Sequence, residues 1–96
     1  MVDLGFVRMH REAILALAER HGARDVRIFG SVARGDASPQ SDIDFLVEPH
    51  RDRTLLDWSA FWQDLERLLG RPVDVATEKS LRPEIRVRAV KDVLPL

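Results

Sequence analysis

Residues Gly30–Val47 read GSVARGDASPQSDIDFLV, and the second half of that stretch holds an apparent contradiction. Asp42–Glu48 alternates with the period of a strand, placing Ile43, Phe45 and Val47 on one face. Asp42 and Asp44 then share the other face. Strands select against aspartate, and two carboxylates a few ångströms apart repel each other unless a proton or a cation lies between them. Hard oxygen donors of this kind suit Mg²⁺, which is held by a few carboxylates together with substrate phosphates. The competing explanation is a solvated strand face, and for an isolated Asp-x-Asp it is the usual one.

Two neighbouring features weigh against that plainer explanation. Gly30–Ser31 stands where an apolar run, Val26, Ile28 and Phe29, turns into a loop. Glycine lets the backbone approach a phosphate closely, and Ser31 offers a hydroxyl and a backbone N–H. A third acid repeats the alternation in Pro72–Ala76 (PVDVA), where Asp74 faces away from the side that Val73 and Val75 bury. If the two strands are neighbours, three carboxylates converge at one edge, a set suited to a pair of metal ions handling a triphosphate. For Asp74 alone, a solvated surface acid is the alternative.

Working outward, Arg8–His21 carries Ile14, Leu15, Leu17 and Ala18 at helical spacing, with Gly22 as a stop. Ser31–Ser41 is a loop by composition, with room for one helical turn after Gly30, and Pro49 ends the second strand. Leu55, Trp58, Phe61, Trp62, Leu65, Leu68 and Leu69 recur at a helical period, and Gly70 caps that helix. Pro83–Val93 suits a terminal helix with proline in its first turn. The order α-β-β-α-β-α predicts an α/β (α+β) domain spanning residues 1–96, a small mixed sheet packed with helices. Strands joined through the central helix should be parallel with a right-handed crossover, and the first two strands antiparallel.

Composition narrows the function classes. The 96 residues suffice for one small domain. A net charge of −1 gives no global basic field for gripping nucleic acid. The basic residues are nearly all arginine, a bias that genome composition can also produce. No apolar run approaches a membrane span, the N-terminal residues lack a signal-peptide core, and cysteine is absent, which together suit a cytoplasmic setting.

The spacing Gly30-Ser31, positions 32–41, then Asp42-x-Asp44 resembles the motif of the polymerase-β-type nucleotidyltransferase superfamily. The fuller string most resembles the minimal nucleotidyltransferases encoded beside HEPN-domain proteins in toxin–antitoxin modules. That likeness extends to the Val93-Leu94-Pro95-Leu96 tail. The resemblance implies a nucleotidyltransferase fold in which Asp42, Asp44 and Asp74 are catalytic and bind the metal, two Mg²⁺ ions. Asp74 also helps activate the attacking hydroxyl. Gly30 and Ser31 hold the nucleotide's phosphates. It implies in-line transfer of AMP from ATP to a tyrosine of a HEPN-type RNase toxin, silencing it. This chain has no tyrosine, so such an acceptor belongs to another protein. Homo- or hetero-oligomerisation is left open.

Arg34 joins Gly30 and Ser31 as a nucleotide-binding candidate, with plain surface charge as an equal alternative. Lys79 follows the third strand closely enough to reach a triphosphate, although a surface lysine fits as well. Arg82 and Arg86, with Arg88 and Lys91 nearby, suit a solvated helix face first and a docking surface for an acidic partner second. Trp58, Phe61 and Trp62 suit a core or an interface, with adenine stacking a minor alternative. His10, His21 and His50 receive no role. Two other functions compete with catalysis on a protein: an antitoxin acting by stoichiometric binding, and a small-molecule nucleotidyltransferase of the aminoglycoside-modifying kind.

Overall fold

The computed structural model describes residues 2–96. Among them, helices α1 (Leu4–Met9) and α2 (Arg11–His21) precede strand β1 (Ala23–Phe29) and the short helix α3 (Gly30–Arg34). Strand β2 (Ile43–Pro49), helix α4 (Leu55–Leu69) and strand β3 (Val73–Ala76) follow. A 3-10 turn at Glu78–Ser80, helix α5 (Pro83–Asp92) and strand β4 (Leu94–Pro95) complete the chain. The sheet runs β3-β2-β1-β4, with β2 parallel to β3 and antiparallel to β1. The mixed sheet and these two pairings are those the sequence predicts.

The main core lies on one face of this sheet. Val26 and Ile28 of β1, Ile43, Phe45 and Val47 of β2, and Val73 and Val75 of β3 pack there with Ile14, Phe61 and Leu65 of the helices. Helix α4 is held in register at both ends. Thr54 and Asp57 form a reciprocal capping box at its start, and Gly70 closes its last turn. Two hydrogen bonds from Thr54 also hold the Asp57 carboxyl below its ordinary pKa. Trp62 donates its indole N–H to the Val73 carbonyl at 2.9 Å, tying α4 to β3.

Two features depart from the predicted pattern. The first helix is two, because His10 leaves the helical conformation and its Nδ1 lies 3.0 Å from the Phe6 carbonyl. The helical turn expected after Gly30 forms as α3. After α5 the chain adds β4 as an edge strand antiparallel to β1. Since β3 and β4 are the outer strands, the segment between them must cross the sheet face opposite the main core. Helix α5 makes that crossing, and Phe29, Leu46, Ala76 and Ala89 form a second, smaller cluster beneath it. This is the face that carries the acids.

Candidate active site

The site is set by the register of β1 against β2. Arg24 pairs with Glu48 but Arg27 pairs with Leu46, so β1 holds one extra residue between them. Asp25 absorbs the bulge at φ 54°, a conformation that aspartate tolerates better than most side chains. The shift brings Phe29 opposite Asp44 instead of Ile43. Gly30 therefore begins α3 directly against the Asp44 side chain. Its φ of 73° is in the left-handed region, and a methyl group at this position would collide with the Asp44 carboxylate. Glycine is required here on both counts.

Parallel pairing of β2 with β3 puts Asp44 and Asp74 side by side in register on the same face. Asp42 lies just before β2, two residues ahead of Asp44, and is exposed, as is Asp74. Asp44 is only partly exposed, because the second cluster lies on its face. Burial, followed by the nearby charges of Asp74 and Asp42, pushes the Asp44 carboxyl up from 3.8 to about 6, with Arg34 opposing. An acid that resists its own charge beside two other acids would ionise more readily with a cation next to it.

Next to Asp44 is a hollow of about 270 Å³. Phe29, Gly30, Ser31, Arg34 and Asp44 form one wall, and Ile85, Arg88, Ala89 and Asp92 of α5 form the other. Arg34 Nη1 donates to Asp92 at 2.9 Å, while its Nε donates to Asp36 at 3.1 Å. Those two acids also raise the guanidinium pKa. Arg34 thus ties the turn after Gly30 to the last residue of α5. The loop leading to Asp42 is pinned from its other side by Arg71, which donates to the Pro39 carbonyl at 2.6 Å.

Residues 10–95 match the nucleotidyltransferase domain family. This chain belongs to that family. Protein adenylyltransferase MntA of Thermococcus cleftensis is 37% identical over 78 residues, covering 81% of this chain and 79% of the relative. A solved structure, provisionally described as a minimal nucleotidyltransferase, is 47% identical with a TM-score of 0.85, covering 99% of this chain and 97% of that one. A crystal structure of a toxin–antitoxin with AMP-PNP shares the fold at 21% identity, with a TM-score of 0.71 over 88% of this chain and 69% of that one.

In this nucleotidyltransferase, no three acidic or histidine side chains among the described residues stand close enough to form a ready-made metal cage. Asp42, Asp44 and Asp74 make an open set instead. Such a set fits Mg²⁺, which takes one or two carboxylates and completes its shell with water and phosphate oxygens. The cost of charging Asp44 points the same way.

The structure separates the remaining candidates. Lys79 lines a different hollow, with Arg24, Glu48 and Thr77, and is not brought to Gly30. Arg86 donates to the Glu78 and Leu81 carbonyls and braces the 3-10 turn. Arg82 is the exposed N-cap of α5. Phe61 is buried in the main core with Trp58 and Trp62 packed against it, on the sheet face opposite Asp44. They belong to the core, away from the hollow. His21 Nε2 lies 2.8 Å from Asp64 Oδ2, joining α2 to α4. Sequence reasoning missed Asp92 and the α5 wall. The available signal was the carboxylate of Asp92 at the end of a helix beginning with Pro83.

Proposed function

We propose that this nucleotidyltransferase transfers AMP from ATP to a hydroxyl of a HEPN-type RNase toxin, acting as its antitoxin. The acceptor would be a tyrosine, supplied by the partner because this chain has none. The observation that carries the reading is the register of Asp44 with Asp74 beside Gly30 and the hollow. The name of the Thermococcus cleftensis relative supports transfer to protein, and the toxin–antitoxin structure supports the fold in that setting.

In the proposed reaction the acceptor oxygen bonds the α-phosphorus, and the bond from that phosphorus to the bridging oxygen of the β-phosphate breaks. Pyrophosphate leaves, and the acceptor proton passes to the Asp74 side of the site. Gly30 and Ser31 hold phosphates at the start of α3, with Arg34 supplying positive charge nearby. Asp42, Asp44 and Asp74 would hold Mg²⁺, two ions in the full reading, which supplies charge neutralisation and a lowered acceptor pKa. The domain works as one unit of residues 1–96 in the cytoplasm, where ATP is present. No direct nucleic-acid contact is required.

The test uses ATP labelled at the α-phosphate, the purified chain and a HEPN-type protein found encoded beside it. Label should pass to the partner in Mg²⁺, and be lost with chelator or in Asp42→Asn, Asp44→Asn and Asp74→Asn. If those variants neutralise the partner as well as the wild type does, stoichiometric binding replaces catalysis. Label passing instead to a small-molecule acceptor would favour the aminoglycoside-like alternative.

A further inference from the structure

Two cations line the hollow, Arg34 and Arg88, and they differ in what they already hold. Arg34 is engaged by Asp36 and Asp92 at 3.1 and 2.9 Å. Arg88 is exposed and, among the described residues, has no carboxylate within ion-pair distance. It lies four residues before Asp92, hence on the same face of α5. The rest of that wall is unfavourable to an anion. Asp92 is acidic, and the last turn of a helix carries the negative end of its dipole.

We infer that Arg88 is a phosphate-binding residue, contacting the β- and γ-phosphates of the nucleotide from α5. The inference rests on the nucleotide reading of this hollow. Asp44 and Asp74 mark where the α-phosphate reacts, which leaves the opposite wall to the outlying phosphates. A guanidinium can meet two phosphate oxygens at once with its planar fork. Arg88 therefore separates ATP from AMP, the nucleotide lacking those phosphates. Without it the α5 wall would present a triphosphate only with Ile85, Ala89 and the carboxylate of Asp92.

The experiment is equilibrium titration of the full chain in Mg²⁺ with α,β-methylene-ATP, which cannot transfer AMP, and in parallel with AMP. Wild type is compared with Arg88→Gln, Arg88→Lys and, as a control on the same helix, Arg82→Gln. Arg88→Gln should weaken the triphosphate analogue about tenfold, the low end for a hydrogen bond to a charged group, and leave AMP unchanged. Arg88→Lys should recover part of the loss, and Arg82→Gln should match wild type. Equal affinity of Arg88→Gln and Arg82→Gln for the analogue overturns the assignment while leaving the nucleotide reading intact. An equal loss for AMP and the analogue also overturns it. A wild-type chain that binds neither nucleotide overturns the reading itself and the assignment with it.

Discussion

Replacing Asp44 with asparagine removes one charge from the site, and the structure gives the sign and size of the effect. The Asp44 carboxyl titrates at about 6 in the folded chain against 3.8 for the ordinary group. Between those values the folded protein holds a proton that the unfolded chain has released. Stability from this group is therefore complete below pH 3.8 and lost as the pH rises through about 6. At about 1.4 kcal/mol per pH unit the upper limit is about 3 kcal/mol. Solvent reaches part of the carboxyl and screens it, which reduces the expected cost to about 1–2 kcal/mol.

Asparagine keeps the shape and carries no charge, and among the described residues no hydrogen bond to the Asp44 carboxylate is lost. In chelator at pH 7.5, Asp44→Asn should then be about 1–2 kcal/mol more stable than wild type, or roughly 5–10 °C in melting temperature. Near pH 4 the gain should vanish. Mg²⁺ should narrow the gap at pH 7.5 by binding the folded wild type. Urea and thermal unfolding at the two pH values read all three effects. Equal stability at pH 7.5, or a gain of the same size near pH 4, would refute the electrostatic account.

Two further substitutions test how the site and its scaffold are built. Gly30→Ala should destabilise the chain by more than the roughly 1–2 kcal/mol of a left-handed alanine, because the new methyl group meets the Asp44 carboxylate. Adding Asp44→Ala should return part of that loss, since the remaining Asp44 Cβ stands 3.4 Å from the position of the new methyl group; chemical denaturation of the double variant checks the non-additivity. Thr54→Ala should cost about 1 kcal/mol by opening the capping box of α4, leaving AMP transfer intact when assayed well below its melting temperature.

The acidic set was legible in the sequence because two independent periodicities converge on it. Alternation fixes the faces of Asp42–Glu48 and Pro72–Ala76, and the helix between them dictates a parallel pairing that puts Asp44 beside Asp74. Other features left weaker traces. The β1 bulge depends on a single aspartate with positive φ, which no pattern of polarity announces. Helix α5 buries only Ala89, so its sequence reads as a solvated helix although it forms a wall of the hollow. Its path across the sheet becomes necessary only once β4 is known, and two residues are too few to show as a strand. Asp44 was legible as an acid on a face, whereas its partial burial came from that hidden crossing.

The strand carries its acids because its two faces are energetically unequal. Ile43, Phe45 and Val47 are all 0% exposed, and burying such side chains contributes roughly 1.5–3 kcal/mol each. That sum exceeds the about 1–2 kcal/mol cost of charging Asp44. A register slip of one residue would exchange the faces, moving these three side chains from the main core to the smaller second cluster and turning the acids toward the main core. The apolar face thus holds the carboxylates in place against their own repulsion. Gly30 supplies the space that lets Asp44 keep its position against α3. The electrostatic cost is concentrated where a cation can offset it, and the packing that tolerates it lies on the other side of the same seven-residue strand.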